Sequence, residues 1–253
     1  MIRYLEHHIV DHCNLKCAGC SHFSPLCGPW FENIEDFKRD FGKLAELTEG
    51  NVGIIRLMGG EPLLHPDLHE FLIACRNLFP NTHIELVTNG ILLPSKKDKG
   101  LLEVCNDFGI VVCVSDYGLL DVTKVLDGFK LIRFYGKTEL YNISMDLSGS
   151  QDPKTAFDNC DLHVNRWDYF QHGRFYPCCI GGNIHIFEQH FNLKLLENED
   201  DISISIYKHS LTEIEDFMNR PKQLCKYCQT ILRSHNYTPF SRSTGDIKEW
   251  TYP

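Results

Sequence analysis

Through the first 136 residues short strand-like runs alternate with segments of helical period, and that alternation leaves few architectures open. MIRYLEHHIV (1–10), NVGIIRLM (51–58), HIELVT (83–88), GIVVCVS (109–115) and KLIRFYG (130–136) read as strands. IEDFKRDFGKLAEL (34–47), PDLHEFLIACRNLF (66–79), LLEVCNDF (101–108) and DVTKVLDGF (121–129) lie between them and read as helices, the second with Pro66 in its first turn. YNISMDL (141–147) is a weaker sixth strand. Five or six β units joined by short helices imply a parallel sheet covered on both faces, and fall short of the eight that close a full barrel. The expected fold class is therefore α/β, a partial (β/α)5-6 TIM-like barrel. Turn-rich SGSQDP (148–153) serves as a boundary, which predicts two modules, 1–150 and a smaller one over 151–253.

The longest apolar runs, such as GIVVCV at 109–114, are far shorter than a membrane span. The start, MIRYLEHHIVDH, lacks the layout of a signal peptide, so a cytoplasmic chain with no membrane partner is expected. A net charge of −9 without a long basic run argues against nucleic acid as a partner. Twelve cysteines without an export signal read as reduced, metal-holding thiols rather than as disulfides.

Cys13, Cys17 and Cys20 fall within DHCNLKCAGC (11–20), directly after the first strand. Three thiolates on one short loop can bind three irons of a 4Fe–4S cube and leave the fourth without a protein ligand. An open coordination position is what a catalytic metal needs. A zinc site that borrows a distant fourth ligand, or three incidental cysteines, are the competing readings. The second strand ends in Gly59-Gly60-Glu61-Pro62, where two glycines let the backbone approach a ligand closely and Glu61 can accept from a cationic amine. VTNG (87–90) and VSDYG (114–118) put small polar groups at the ends of the third and fourth strands, the same rim.

CX3CX2C at Cys13, Cys17 and Cys20, GGEP at 59–62 and the spacing of the later strands resemble the radical S-adenosylmethionine enzymes. The resemblance implies that the free iron is chelated by the amino and carboxylate groups of S-adenosylmethionine. Reductive cleavage then gives a 5′-deoxyadenosyl radical that abstracts hydrogen from substrate, fed by a flavodoxin- or ferredoxin-type reductant. It implies that Gly59, Gly60 and Glu61 hold the methionine amino group, and that Ser115 and Asn89, by position, hold ribose or carboxylate. The residue before the third cysteine is commonly aromatic in this family and is Gly19 here, which assigns adenine packing to Phe23.

In the second half, Cys160 is followed by twelve residues, Gly173, four residues and Cys178, and CKYC closes the set at 225–228. This is similar to the SPASM/twitch extensions of the same family, in which a Gly-turned hairpin and a distal CXXC hold auxiliary 4Fe–4S clusters. No cysteine follows Cys228, so the resemblance implies the twitch form, with one cluster on Cys160, Cys178, Cys225 and Cys228. Cys179 competes with Cys178, which has the Gly spacing. A structural zinc site is the rival for these four thiols. Cys75, Cys105 and Cys113 read as small buried hydrophobes, and Cys27 as a non-ligand.

Strand alternation puts Tyr4, Glu6 and His8 on one face of the first strand and Leu5, His7 and Ile9 on the other. The apolar face should pack on helices, turning Glu6 and His8 toward the lumen. Glu6, His8, Arg56 and Arg133 form the expected catalytic set, in which a His or Glu serves as base for a substrate hydroxyl. By analogy with the single-cluster aminocyclitol dehydrogenases of the family, the expected reaction is oxidation or epimerisation of a small polar sugar or cyclitol alcohol. A peptide-modifying enzyme of the maturase type and a non-enzymatic iron–sulfur electron carrier are the alternatives.

Overall fold

A computed structural model describes residues 2–96, 100–121, 125, 127–136, 140–141, 144–230 and 237–252. The chain divides into two compact units, Met1–Asn14 with Pro29–Glu139, and Leu15–Gly28 with Leu140–Pro253. The loop carrying Cys17 and Cys20 therefore groups with the C-terminal half of the chain, a division that no single boundary in the sequence would draw.

The first unit holds five parallel strands in the order β5-β4-β3-β2-β1. They are β1 (Ile2–Val10), β2 (Val52–Gly59), β3 (His83–Thr88), β4 (Val111–Ser115) and β5 (Ile132–Tyr135). Helix α1 (Ile34–Thr48) joins β1 to β2, α2 (Leu68–Leu78) joins β2 to β3, and α3 (Leu93–Lys96) and α4 (Leu102–Asp107) lie between β3 and β4. Asn33 starts α1 by accepting from the backbone N–H groups of Glu35 and Asp36, and both acids sit against the positive end of the helix. Helix α2 opens at Leu68, two residues after the Pro66 expected in its first turn. Of the helix expected over 121–129, residues 122–124 and 126 lie outside the described residues.

Alternation along the strands sends Leu5, Ile9, Ile55, Leu57, Ile84, Leu86, Val112 and Val114 into the core, all fully buried. An aromatic cluster forms between β1 and the helices. Phe37 stacks on Phe41 at 4.0 Å and meets Phe71 of α2 edge-on at 5.0 Å, while Phe41 meets Phe79 at 6.1 Å. His7 points to this side, 4.8 Å from Phe41, as strand parity requires.

The sixth strand differs from expectation. It is the two-residue β6 (Leu140–Tyr141), which pairs antiparallel with β10 (Tyr237–Thr238) in the second unit instead of extending the parallel sheet. Just beyond it Met145 is fully buried, donates to Trp250 O at 2.8 Å and accepts from Tyr252 N at 2.7 Å. Met145 and Leu147, part of the pattern that suggested a strand, pack in the core of the second unit. That unit also contains the hairpin β7 (Asp168–Gln171) and β8 (Arg174–Tyr176), to which β9 (Ile204–Ser205) adds antiparallel. His172 and Gly173 turn the hairpin with φ of 50° and 67°, the left-handed pair that matches strand twist. The helix Cys179–Phe191 lies against it so closely that a Cβ on Gly182 would fall 2.1 Å from the Tyr169 ring. Among the described residues no helix is long and apolar enough to cross a membrane.

Phe41 is the centre of the aromatic cluster and has no solvent exposure. Phe41→Ala should lower unfolding stability by ~3–5 kcal/mol, measured by urea denaturation. A loss below about 1 kcal/mol would mean that the cluster closes over the cavity.

Candidate functional site

The end of β2 is bonded to the chain that leads into Cys13. Gly60 N–H donates to Val10 O at 2.7 Å and Glu61 N–H to His12 O at 3.1 Å. A Cβ on Gly59, whose φ is 146°, would lie 1.9 Å from Val10 O, and one on Gly60 would lie 2.2 Å from His12 O. Side chains are excluded at both positions by the protein's own backbone. The close approach expected for a ligand is thus first an approach of one loop to another.

Glu61 is fully buried. Its Oε1 accepts from Leu63 N–H at 3.1 Å and from the Thr88 hydroxyl at 2.6 Å, and its Oε2 accepts from Asn89 N–H at 2.9 Å. The carboxylate therefore ties the end of β2 to the end of β3. Burial pushes its pKa up to about 7, against three hydrogen bonds that pull it down. Asn89 in turn donates from Nδ2 to Asn14 Oδ1 at 2.7 Å and lies 3.7 Å from Cys13 Sγ. Thr88 was not singled out by the sequence, where it is one small residue before the NG turn. Ser115, half-buried, ends β4 opposite Tyr135. The remaining thiols of the motif are Cys17, pushed up to about 12 by burial and then by Cys20, and Cys20, also raised by burial. The loop that carries them is held by Trp250 Nε1–H donating to Cys20 O at 2.9 Å and by Ala18 N–H donating to Ser241 O at 3.0 Å. Phe23, expected to pack adenine, has no exposure, a φ of 55° and a ring 5.2 Å from Phe187, which makes it a core residue of the second unit.

A second cluster crosses the sheet face opposite the helix-packed aliphatics. Glu6, Arg56 and Glu85 are in register on β1, β2 and β3. Glu85, with no side-chain exposure, accepts from Arg56 Nε at 2.6 Å and from Arg133 Nη1 at 2.7 Å, with His83 Nε2 3.0 Å away. Burial alone would raise the Glu85 pKa, but Arg56, His83 and Arg133 bring it below the usual value. Glu6 accepts from the Tyr4 hydroxyl at 2.9 Å, and the Arg56 guanidinium lies 4.9 Å from the Tyr4 ring centroid. Burial raises the Glu6 pKa in spite of Arg56 and Tyr4. Glu6, Arg56 and Arg133 thus meet in one network, whereas His8 is paired to Asp11, Nδ1 to Oδ1 at 3.0 Å. The sequence reading missed the hub, Glu85. Its signal was present: one acid inside HIELVT, of opposite parity to Ile84 and Leu86.

In the second unit Cys160, Cys178, Cys225 and Cys228 line a single cavity whose wall includes Ile180 and Leu224. Burial pushes the Cys178 thiol well up, and the charges of Cys160, Cys228 and Cys225 push it further. Cys225 rises to about 12 from burial and from the same neighbours. Gly181 N–H donates to Cys178 Sγ at 3.4 Å. Cys179 is buried in the adjacent apolar core and does not line the cavity. None of the twelve cysteines is in a disulfide. Four thiols lining one largely apolar cavity, of which Cys178 and Cys225 are disfavoured by burial as lone thiolates, fit a tetrathiolate metal centre. Cys75, Cys105 and Cys113 are buried away from it.

Because the fold holds a proton on Glu61, its contribution to stability is complete below pH 4.5 and is lost as pH rises through about 7. Glu61→Gln should flatten that part of the stability–pH curve, followed by thermal melts across the window. An unchanged slope would place the titration elsewhere.

Residues 8–113 match the model of the Radical SAM superfamily. Among curated proteins, the GTP 3′,8-cyclase of Sulfurovum sp. (strain NBC37-1) is 33% identical over 104 residues, 40% of this chain and 32% of that protein. The GTP 3′,8-cyclase of Clostridium acetobutylicum (strain ATCC 824) is 33% identical over 138 residues, 50% of this chain and 42% of that protein. The chain thus spans about a third of the first of these relatives and two-fifths of the second. Among solved structures, BtrN in complex with AdoMet and 2-DOIA is similar in fold, with a TM-score of 0.52 and 17% identity over 100% of this chain and 99% of that one. The matched span contains the three-cysteine motif and the GGEP loop bonded to the segment of its first cysteine, so residues 8–113 form a Radical SAM domain.

Proposed function

We propose that this chain is a radical S-adenosylmethionine enzyme that abstracts hydrogen from a small polar substrate, a sugar or cyclitol alcohol, and oxidises or epimerises it. The observation that carries the reading is the bonding of the GGEP loop and Asn89 to the segment entering Cys13. It puts Gly60, Glu61 and Asn89 beside the segment of Cys13, the first thiol of a motif that would leave a metal position open. The fold shared with BtrN, a structure that holds AdoMet and 2-DOIA, agrees with a small polar substrate. The two GTP 3′,8-cyclases match only 40% and 50% of this chain and do not lend the reading their substrate.

Cys13, Cys17 and Cys20 would hold a 4Fe–4S cluster, and Gly59, Gly60, Glu61, Asn89 and Ser115 would hold S-adenosylmethionine. Cluster and S-adenosylmethionine, when bound, supply one-electron cleavage of the sulfonium and hydrogen-atom abstraction, with a flavodoxin- or ferredoxin-type donor as the electron source. Glu61 also fixes Thr88 and Asn89, and its Oε2, which accepts only from Asn89 N–H among the described residues, keeps capacity for a further donor. Glu6 is the base for the substrate hydroxyl. Its buried carboxyl has a raised pKa and a single hydrogen-bond donor in Tyr4, which leaves capacity for an incoming proton. Arg56 and Arg133, fixed by Glu85, orient substrate oxygens, and Asp11 orients the His8 ring. The second thiol set, Cys160, Cys178, Cys225 and Cys228, would hold an auxiliary 4Fe–4S cluster.

The test is anaerobic reconstitution, then turnover with dithionite, S-adenosylmethionine and a panel of sugar and cyclitol alcohols. 5′-Deoxyadenosine should form in step with a product that has lost two hydrogens or inverted one carbon. Cys20→Ala should abolish both, and Glu6→Gln should lower kcat about 10²–10⁴-fold with the clusters intact. Turnover only with peptides would favour a maturase. A fully loaded protein that cleaves no S-adenosylmethionine with any substrate would favour an electron carrier.

A further inference from the structure

Among the described residues, the cavity of the second thiol set has one lysine, arginine or carboxylate in its wall. Lys222 lines it together with the four cysteines and is itself only 6% exposed. A lysine this buried is normally paired with an anion. Among the described residues no carboxylate pairs with it. Its Nζ donates to the carbonyl oxygens of Phe217 and, at 2.9 Å, of Arg220, and lies 3.6 Å from the Phe217 ring centroid. These partners are neutral. They hold the ammonium in place without balancing its charge; burial lowers its pKa to about 8, and negative charge on Cys225 pulls it back up, so an anionic centre in the cavity would keep it charged.

We propose that Lys222 is the charge-compensating residue of the centre held by Cys160, Cys178, Cys225 and Cys228, and that it raises the reduction potential of that centre. The inference rests on the reading above that the four thiols hold a 4Fe–4S cluster. Four thiolates on an oxidised cube leave a net dianion, and one further electron makes a trianion. A fixed cation in a water-poor wall stabilises the trianion more, because the interaction grows with the charge and is weakly screened there. The rest of the described wall is apolar, thiol or hydroxyl apart from His163, whose imidazole burial holds below its usual pKa and so in the neutral form. Lys222 is therefore a positioning charge that acts through the centre and not on substrate. It biases the auxiliary centre toward accepting an electron.

The test uses the full chain with Cys13, Cys17 and Cys20 changed to Ala, so that only the auxiliary centre is reconstituted. In this background Lys222→Met, Lys222→Gln and Lys222→Arg are compared by iron content and by potentiometric titration of the reduced-cluster EPR signal. Both neutral variants should retain about four irons and titrate at a more negative potential, and Lys222→Arg should stay near the parent. Loss of iron from both neutral variants but not from Lys222→Arg would support the same role through affinity. An unchanged potential with iron intact would overturn it, as would loss of iron from all three, which would assign Lys222 to packing. A parent centre that holds zinc and shows no reducible signal would overturn both this inference and the cluster reading beneath it.

Discussion

Two backbone hydrogen bonds, Gly60 N–H to Val10 O and Glu61 N–H to His12 O, fix the approach of the chain to Cys13. They require glycine at 59 and 60, because the carbonyls of Val10 and His12 occupy the space a side chain would need. Glu61 extends the constraint sideways by accepting from Thr88 and Asn89 at the end of β3. Asn89 returns it to Asn14 and Cys13. Three strand ends are thereby locked to one another around the first thiol of the motif. A centre with an open coordination position needs such a rigid rim, since a group misplaced by about 1 Å forfeits much of the benefit of orientation.

The other polar feature of the first unit depends on the same sheet. A carboxylate as buried as Glu85 persists only when charged partners compensate its lost hydration. Arg56 and Arg133 provide that from the neighbouring strand β2 and from β5, two places away. The consequence is a pair of guanidiniums with fixed positions on the face that also carries Glu6. Burial raises both carboxyls, but Arg56, His83 and Arg133 outweigh it at Glu85, which is favoured as the ionised form, whereas Glu6 is left toward the protonated one. One holds cations in place while the other is suited to exchange a proton.

Much of the first unit was legible in the sequence, because a parallel strand covered on one face by helices writes its parity directly. Leu5 and Ile9, or Ile84 and Leu86, are enough to orient β1 and β3. The short strands were not, since what pairs with Leu140–Tyr141 is set by residues almost a hundred positions later. Spacing singled out Cys160, Cys178, Cys225 and Cys228, which line one cavity that Cys179 does not, because the turn at Gly173 sets the hairpin register leading to Cys178. Phe23 was misjudged for a physical reason. An aromatic residue in a cysteine loop can face a ligand or a core, and only the packing of Phe187 decides. Glu85 and Lys222 escaped notice because a buried charge is recognised by its partners, and those come from other elements.

The central claim is that two separate thiol sets, one of three and one of four, each hold a cluster. The most direct measurement is iron and sulfide per chain after anaerobic reconstitution, with zinc determined in parallel, for the parent and for the Cys225→Ala/Cys228→Ala variant. The account predicts about eight irons with matching sulfide in the parent and about four in the variant. About four irons in both, with one zinc in the parent only, would contradict it and make the second centre structural.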